Sequence, residues 1–296
     1  KDIGQPFLNL FRTPDVVAFV QADDPSATLQ TAAPGNPARQ LELRLTPYGD
    51  GQKLLLAQDI TERLQHERMR KDFVANVSHE LRTPLTVISG FIENLQDNDS
   101  LDTQSIGRPL DVMEQQATRM RQLVEDLLLL ARLESEAASS RMDTVAVDEM
   151  LSLIASECAA LREDAPTLKV DIASTCQLRG DEKQLHSAVT NLVVNAVNHT
   201  PQEGAVVLRW SDHDGQGLIS VVDDGEGITA EHLPRLTERF YRVDTGRSRE
   251  RGGTGLGLAI VKHILNRHDA SLSIKSRPGE GSEFTCVFPA SRLICL

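Results

Sequence analysis

The stretch on which the fold depends is Phe73-Val74-Ala75-Asn76-Val77-Ser78-His79-Glu80-Leu81-Arg82-Thr83-Pro84-Leu85. Its apolar residues recur at helical spacing, and the stripe continues back to Asp59-Ile60-Thr61-Glu62, which resembles a capping box at a helix start. Proline lacks the N–H donor of a helix interior and crowds the preceding turn, so we expect a kink at residues 80–83. The sequence therefore predicts one long helix that begins at Asp59 and bends before Pro84.

A second long helix is predicted after a polar break at Asp97–Thr103, from Ile106 to Glu136. Its apolar stripe consists of Val112, Met113, Met120, Leu123, Leu127, Leu130 and Leu133. Two long helices joined by a short polar loop form an antiparallel hairpin. Because a lone hairpin cannot bury a stripe on each helix, we predict that two chains form a four-helix bundle and that the protein is a homodimer.

The regions on either side of the hairpin mix strands and helices. Before the hairpin, Leu41, Leu43 and Leu45 alternate with polar residues, which predicts a strand. Pro47–Gly51 is a predicted turn and Lys53–Ala57 a predicted return strand, whereas Thr31–Ala38 is a predicted loop. After Thr144, helices are predicted near 148–161, 182–198 and 256–266, and strands near 169–172, 206–210, 218–223, 271–276 and 283–288. The fold class is therefore α+β, with a C-terminal sandwich of helices on one sheet face.

Composition and charge exclude several classes of protein. Even the longest unbroken apolar stretches, of which Leu127–Ala131 is one, are far shorter than the ~18–20 residues of a membrane-spanning helix. The net charge of −12 disfavours sequence-independent binding to nucleic acid, so the expected partners are proteins or small ligands. The chain begins with Lys1, so we expect a soluble piece of a longer protein, with any membrane anchor in the missing upstream segment.

The cysteines suggest neither a metal site nor a disulfide framework. They are Cys158, Cys176, Cys286 and Cys295. Their spacing includes no CxxC pair. We therefore expect four unpaired thiols in a reducing cytoplasm.

The chemistry available to the first helix centres on His79. Neutral imidazole can attack phosphorus, and the adjoining Glu80 carboxylate can accept or orient the proton that the ring gives up. Thr83 lies one turn further on the same face, where its hydroxyl could position water against a phosphorylated histidine. A lone histidine on a helix is more often a solvated surface residue, but the neighbouring carboxylate, hydroxyl and proline favour a functional role.

A second group of polar residues lies on the helix predicted at 182–198. Asn191, Asn195, Asn198 and His199 share one face through i, i+4 and i+7 or i+8 spacing. Amide oxygens are ligands for a hard cation, and Mg²⁺ is the cation that accompanies nucleotide phosphates. A solvated helix face is the simpler interpretation unless a nucleotide pocket lies beside it.

Two glycine-rich turns predict such a pocket. Asp223-Asp224-Gly225-Glu226-Gly227-Ile228 places a carboxylate at a strand end, suited to accept a hydrogen bond from an adenine amino group while the glycines let the backbone approach the ring. Gly252-Gly253-Thr254-Gly255-Leu256-Gly257-Leu258 opens a helix whose N–H groups could hold phosphate. Neither turn has the pattern of a P-loop or of a dinucleotide-binding fold.

In this order, these segments resemble the H, N, G1, F and G2 boxes of the sensor histidine kinases of two-component systems. The ATP domain of that family has the Bergerat fold shared with Hsp90 and gyrase. The resemblance covers about residues 60 to 290. Within the family, Pro234–Asp244 and Asn198–Pro201 are most similar to the phosphate-regulon branch, which implies phosphate-starvation signalling.

The resemblance implies a protein-histidine kinase that uses ATP and Mg²⁺. His79 would be the phospho-acceptor, Glu80 the base, and Thr83 the residue of a reverse, phosphatase activity. The phosphoryl group would pass to an aspartate in the receiver domain of a response regulator. The chain would be the cytoplasmic domain of a bacterial inner-membrane protein.

The resemblance also implies a role for each residue of the ATP pocket. Asn195 would bind Mg²⁺ with Asn191 beside it, His199 would lie against the adenine, and Asp223 would accept its amino group. A phosphate contact from Asn198 is less well supported, because relatives often carry Lys or Arg there. The other implied residues, which shape the pocket, meet the phosphates or close the lid, are Gly225, Gly227, Arg242, Arg251, Gly253, Thr254, Gly255 and Gly257.

Three domains follow from the resemblance. Residues 1–58 would be a PAS-like domain or part of one, with a structural or dimerising role. Residues 59–138 would be a signalling helix followed by the dimerisation and phosphotransfer hairpin, and residues 139–296 the catalytic ATP-binding domain. The exit from the first domain, Gln58-Asp59-Ile60-Thr61, is similar to that of PAS domains.

Two other classes of protein remain open from the sequence. A Bergerat-fold ATPase of the chaperone or topoisomerase type would use the same pocket, but gives no reason for His79-Glu80 and Pro84 in a bundle helix. A non-catalytic dimeric scaffold would be expected to lack an acceptor or pocket residue, whereas every box is intact here.

Overall fold

The computed structural model describes residues 9, 11, 13–22, 24, 27–49, 52–97, 103–135, 142–160, 165–243 and 253–295. The chain divides into two compact units, residues 1–78 and 79–296. The boundary between the units falls within one long helix.

The first unit is a small α/β domain. Its elements are α1 (Pro14–Ala22), β1 (Thr28–Ala33), β2 (Asn36–Tyr48) and β3 (Gln52–Asp59). The three strands form an antiparallel sheet in the order β1-β2-β3. Val16 and Phe19 of α1 are buried against Leu43 and Leu45, so alternate residues of β2 face the core.

The predicted hairpin of this unit is confirmed, and the predicted loop before it is wrong. β2 pairs with β3 from Leu41 opposite Asp59 to Tyr48 opposite Gln52. The residues expected to form a loop, 31–38, instead contain the end of β1, a two-residue turn and the start of β2. The φ of +74° at Gly35 allows this tight turn, because glycine adopts positive φ without steric cost.

Two long helices follow, α2 (Thr61–Asp97) and α3 (Thr103–Ser135), close to the predicted bounds. The Asp59 carboxylate caps the start of α2, because it accepts hydrogen bonds from the Thr61 backbone N–H at 3.0 Å and the Thr61 hydroxyl at 2.6 Å. α2 continues as a helix through Pro84. Among the described residues, neither these helices nor any shorter one has an apolar stretch long enough to cross a membrane.

The C-terminal part of the second unit packs helices on a sheet. Its elements are α4 (Val147–Ala159), β5 (Thr167–Ile172), α5 (Glu182–His199), β7 (Ala205–His213), β8 (Gln216–Asp223), α6 (Gly257–Arg267), β9 (Ser271–Arg277) and β10 (Gly281–Phe288). The strand order is β5-β7-β8-β10-β9, in which only the β5–β7 pair is parallel. Val206, Leu208 and Trp210 are buried while Arg209 is exposed, so one face of the sheet forms the core. The predicted sandwich is confirmed.

A second, smaller sheet of this unit is absent from the sequence-based prediction. β4 (Asp143–Val145), β6 (Gln177–Gly180) and β11 (Leu293–Ile294) pair antiparallel in the order β11-β6-β4. Strands of two to four residues are too short to show an alternating apolar pattern.

The expectation of four unpaired cysteines is wrong for two of them. β11 pairs with β6, which brings Cys295 beside Cys176, and the two form a disulfide across a sequence separation of 119 residues. This pairing depends on two strands that the sequence does not predict. Cys158 and Cys286 are buried free thiols, and burial raises the pKa of Cys158 to about 11 and of Cys286 to about 12.

Candidate functional site

The predicted phospho-acceptor and its two neighbours occupy one turn of α2. His79 is exposed, so another domain has access to its ring. The hydroxyl of Thr83, also exposed, donates a hydrogen bond to the His79 carbonyl oxygen at 3.3 Å. Glu80 between them is half-buried.

An arginine of α3 holds the Glu80 carboxylate. Arg119 Nη2 lies 3.0 Å from Glu80 Oε2, and the side chains are only 17% and 19% exposed. Partial burial makes this pair less screened than a surface salt bridge. The sequence analysis missed Arg119. A signal was available, because in an antiparallel hairpin centred near residue 100, positions 80 and 119 lie almost equally far from the turn and therefore at the same level.

Helix α5 joins the amide residues to both glycine-rich turns. Asn191 Nδ2 donates a hydrogen bond to the Ser187 carbonyl oxygen at 2.8 Å. A Cβ on Gly257, at the start of α6, would lie 2.6 Å from Asn191 Oδ1. At the other end of the row, His199 Nδ1 lies 2.8 Å from Glu226 Oε1. Helix α5 therefore contacts both glycine-rich turns, and these three elements frame the candidate nucleotide site.

Asp223 is the buried carboxylate of this pocket. It ends β8, is only 6% exposed, and accepts a hydrogen bond from the Gly225 backbone N–H at 3.0 Å. Burial raises the pKa of Asp223, while hydrogen bonds from the backbone N–H groups of Gly225 and Ser282 oppose the rise. A buried carboxylate held by backbone donors is a preorganised acceptor for a ligand N–H.

The two glycines after Asp223 are required by close backbone packing. A Cβ on Gly225 would lie 2.3 Å from the His199 carbonyl oxygen. A Cβ on Gly227 would lie 1.9 Å from the Arg277 carbonyl oxygen, and its φ is +68°. No side chain fits at either position, so the turn closes one wall of the pocket with bare backbone.

The second glycine-rich turn connects the lid, α6 and α3. Gly255, with a φ of +71°, accepts a hydrogen bond from the Phe240 backbone N–H at 2.8 Å. The Thr254 hydroxyl accepts from the Leu256 N–H at 3.3 Å and donates to Asp126 Oδ2 of α3 at 2.9 Å. α6 then begins at Gly257, so its free N–H groups point toward the turn.

The remaining predicted residues are distributed around these elements. Asn195 and Asn198 are half-buried on α5. A Cβ on Gly253 would lie 3.8 Å from Arg242 Nη2, so that guanidinium lies beside the turn. Arg251 lies outside the described residues.

Asp126 is a site residue that the sequence analysis missed. It is only 8% exposed, although it is charged. The signal was its position, because it lies three residues after Leu123 and four before Leu130, on the apolar stripe of α3. A carboxylate on a buried stripe requires polar partners, which a helical pattern alone cannot identify.

A buried histidine connects the two helices that form the pocket. His268 follows α6 and is fully buried. Its Nδ1 donates a hydrogen bond to the Ile264 carbonyl oxygen at 2.8 Å. Its Nε2 accepts one at 3.0 Å from the backbone N–H of Asp181, which is the N-cap residue of α5. Both nitrogens are used by the neutral ring. Burial lowers the pKa of His268 below its ordinary 6.5, and the positive Arg292 adds to this effect.

We expect the free energy of unfolding to fall as the pH drops below 6.5, the ordinary value for His268. The unfolded chain binds the extra proton more readily, so the stabilisation present above that pH is lost below it. Trp210 fluorescence should report a melting temperature that is lower at pH 5.5 than at pH 7.5, by up to about 5 °C. His268→Gln should weaken this dependence and the exposed His213→Gln should not; an unchanged dependence in His268→Gln would contradict the assignment.

Comparison with protein families identifies the helical hairpin and the C-terminal sandwich. Residues 69–136 match the family model described as His Kinase A (phospho-acceptor) domain. Residues 180–292 match histidine kinase-, DNA gyrase B-, and HSP90-like ATPases. The solved structure of full-length ShkA in complex with AMPPNP is 27% identical, with a TM-score of 0.55, and the match covers 74% of this chain and 45% of that one.

Similar proteins of known name extend the match to almost the whole chain. It is 47% identical to the phosphate regulon sensor protein PhoR of Pseudomonas aeruginosa, over 99% of this chain and 66% of that protein. It is 34% identical to the sensor-like histidine kinase SenX3 of Mycolicibacterium smegmatis, over 88% of this chain and 69% of that protein. The chain therefore spans about two thirds of the length of these relatives. It belongs to the sensor histidine kinase family and is similar to the phosphate-regulon branch along nearly its full length.

Proposed function

We propose that this chain phosphorylates its own His79 from ATP and passes the phosphoryl group to an aspartate of a response regulator. The observation that carries the proposal is the pairing, in one chain, of an exposed histidine beside a held carboxylate with a pocket built on a buried carboxylate and bare glycine backbone. The likeness to the phosphate regulon sensor protein supports phosphate-starvation signalling as the setting.

The candidate site suits ATP because the adenine and the phosphates each have a counterpart. The Asp223 carboxylate is a buried acceptor for the adenine amino group, and the turn at Gly225 and Gly227 packs its backbone against the chain beside it. The N–H groups at the start of α6 suit phosphate, with Arg242 beside them. ShkA, a structural relative, binds AMPPNP.

Amide oxygens of α5 would hold Mg²⁺ together with phosphate oxygens. Within the described residues no cluster of three His, Cys, Asp or Glu side chains could hold a metal by itself. Asn195 and Asn191 supply neutral oxygen donors, which suit an ion that retains phosphate and water ligands. The bound ion would neutralise charge on the triphosphate.

Phosphoryl transfer needs little covalent chemistry from the protein beyond the acceptor. An imidazole nitrogen of His79 attacks the γ-phosphorus, and the bond to the β,γ-bridging oxygen breaks as ADP leaves with the electron pair. The proton on the other ring nitrogen passes to Glu80. The catalytic contribution of the chain is therefore positioning, and Arg119 is the residue that holds Glu80.

Replacing Arg119 by Gln should lower the kcat of autophosphorylation by about tenfold, a part of the usual contribution of a general base, and leave the KM for ATP unchanged. Glu80 would lose the partner that orients it, while the ATP pocket would be intact. Initial rates over a range of ATP concentrations measure both constants. Arg119→Lys should recover part of the rate, and the exposed Arg121→Gln is the matched control; a raised KM would contradict a role through Glu80.

The hairpin also supports a dimer and a phosphatase activity. Large apolar side chains that are exposed on α2 and α3 of one chain are Leu85, Ile92, Leu110, Val124 and Leu128. A second chain would bury such residues in a four-helix bundle, and the molar mass in solution tests this.

The Thr83 hydroxyl, one turn from the acceptor, would orient water in dephosphorylation of the receiver domain, and phosphate release from a phosphorylated receiver measures that reaction.

The domain division is proposed in the same terms. Residues 1–58 form a PAS-like domain, 59–138 a signalling helix and phosphotransfer hairpin, and 139–296 the ATP-binding domain. The chain would act on the cytoplasmic side, where ATP and response regulators are present, and the stimulus would arrive through a segment upstream of it. The two alternatives, an ATPase without a phosphoprotein and a non-catalytic scaffold, are disfavoured by the phospho-acceptor match over residues 69–136.

The test is incubation of the purified chain with γ-labelled ATP and Mg²⁺, followed by acid and alkali treatment. Phosphohistidine is labile to acid and stable to alkali, so label with that behaviour supports the proposal. Steady phosphate release without protein-bound label would support the ATPase alternative, and absence of nucleotide binding would support the scaffold.

A further inference from the structure

A buried carboxylate of α3 accepts a hydrogen bond from the second glycine-rich turn, residues 253–257, which we call the phosphate loop. Asp126 Oδ2 accepts a hydrogen bond from the Thr254 hydroxyl at 2.9 Å, and Oδ1 accepts one from Gln122 Nε2 at 2.9 Å. Both carboxylate oxygens therefore have partners, and the side chain is only 8% exposed. A buried carboxylate without hydrogen-bond partners would strongly destabilise the fold, so the contacts with Thr254 and Gln122 are needed to keep Asp126 at this position.

This contact places a negative charge beside the start of a helix that suits anions. The same Thr254 hydroxyl accepts a hydrogen bond from the Leu256 N–H at 3.3 Å, immediately before α6. The N-terminus of a helix carries a partial positive charge and free N–H donors. The Asp126 carboxylate therefore lies near the position that the triphosphate would need. The carboxylate and the triphosphate are both negative, and they would repel each other strongly in a poorly hydrated site.

Further polar contacts attach the same domain to α3 over the next two turns. Glu134 pairs with Arg239 of the lid base, by which we mean Arg239 and Phe240, and lies 3.6 Å from His263 of α6. Arg267, in the last turn of α6, donates to the Leu133 carbonyl oxygen at 3.3 Å. The phosphate loop, the lid base and α6 therefore dock on one face of α3.

The docked loop lies away from the level of the phospho-acceptor. Arg119 contacts Glu80 and so marks the level of His79 on α3. Asp126 is seven residues further along, which at the helical rise per residue is about 10 Å. In-line attack needs reacting atoms ~3–3.5 Å apart, whereas the contact with Asp126 holds the loop about two helical turns along α3 from the level of His79.

We propose that Asp126 competes with the nucleotide phosphates for the phosphate loop, so that triphosphate binding releases the ATP-binding domain from this face of α3. The inference rests on the proposed function in one respect, that the loop holds phosphate. It adds a docking surface, the face of α3 from Gln122 to Glu134, whose occupant is the phosphate loop, lid base and α6 of the same chain.

The first test is nucleotide affinity measured by titration calorimetry on the whole chain. Asp126→Ala should bind the nonhydrolysable analogue β,γ-imido-ATP about five- to tenfold more tightly than the unmodified chain, because one charge-assisted hydrogen bond no longer opposes it. Affinity for adenosine, which has no phosphate, should not change. Glu125→Ala is the matched control, because it removes an exposed acid from the next position on α3, and its affinity should equal that of the unmodified chain.

The second test needs no nucleotide. Amide hydrogen exchange of residues 253–257 should be faster in Asp126→Ala than in Glu125→Ala, because the Thr254 contact that orders the loop is gone. Asp126→Asn keeps an acceptor for the Thr254 hydroxyl and removes the charge, so its exchange should stay slow while its affinity for the analogue still rises.

The outcomes separate this inference from the proposed function. Equal affinity for the analogue in Asp126→Ala and Glu125→Ala would overturn the competition, and so would a parallel gain for adenosine, which indicates general loosening. Unchanged exchange at 253–257 would overturn the docking contact itself. If the unmodified chain bound no analogue, the proposed function would fail, and the competition with it.

Discussion

A chain carrying His79→Gln should incorporate no acid-labile phosphate from γ-labelled ATP, whereas the unmodified chain becomes labelled. Glutamine keeps the polarity and helix propensity of an exposed position on α2 but has no ring nitrogen that can attack phosphorus. Nucleotide affinity should be unchanged, because the ATP pocket is built from other residues. Label recovered after acid and alkali treatment, together with a nucleotide titration of the same preparation, measures both expectations.

The matched control for this loss is His66→Gln, which changes another exposed histidine of the same helix. It should be labelled as fast as the unmodified chain. Residual alkali-stable label in His79→Gln would mean that a different histidine accepts the phosphate, and the assignment of the acceptor would be wrong.

Replacing Asp223 by Asn should weaken ATP binding by about a hundredfold and abolish labelling at low ATP concentration. The carboxylate accepts from the backbone N–H groups of Gly225 and Ser282 and is proposed to accept from the adenine amino group. An amide has only one acceptor oxygen, so its NH₂ would face either a backbone donor or the adenine donor. A lost charge-assisted hydrogen bond costs about 1.5–3 kcal/mol, and the opposed donors add to this. Equilibrium binding of labelled ATP measures the effect.

Loss of binding in this variant should not come from unfolding. Burial raises the pKa of Asp223, so the folded chain disfavours its charge and the neutral amide relieves that cost. A melting curve without nucleotide checks that the variant is folded. The neighbouring Asp224→Asn is the matched control: Asp224 is exposed and accepts a hydrogen bond from the Ala205 N–H at 2.8 Å, so the ATP affinity of this variant should be near that of the unmodified chain. Equal losses in both variants would contradict an adenine contact specific to Asp223.

Much of the architecture could be predicted because its signals are local. The stripe along α2 and α3, the Asp59 cap and the alternating strands of the ATP-binding domain each depend on residues within a few positions of one another. The glycine-rich turns were recognisable because their glycines are close together in the sequence. The structure gives the reason for two of them, since a Cβ on Gly225 or Gly227 would overlap backbone atoms. Family and α+β fold class followed from the order of these segments.

Contacts between distant segments could not be predicted in the same way. The disulfide between Cys176 and Cys295 depends on the pairing of β6 with β11, and neither strand is long enough to show a pattern. The loop expected before β2 is a tight turn between strands, because one glycine at positive φ allows β1 and β2 to pair. For the disulfide the decisive partner lies outside any local window, whereas the turn is local and its signal, the glycine at position 35, was missed.

The sequence by itself determined the family and the fold class, and it predicted the chemistry: an acceptor at His79, a base at Glu80, and the amides, carboxylate and glycines of a nucleotide pocket. Only the tertiary structure decided how these groups are held, with Arg119 on Glu80 and Asp126 on Thr254. The physical reason is that a residue's reactivity is a property of its type and near neighbours, whereas its orientation and charge environment depend on side chains that folding brings from far along the chain.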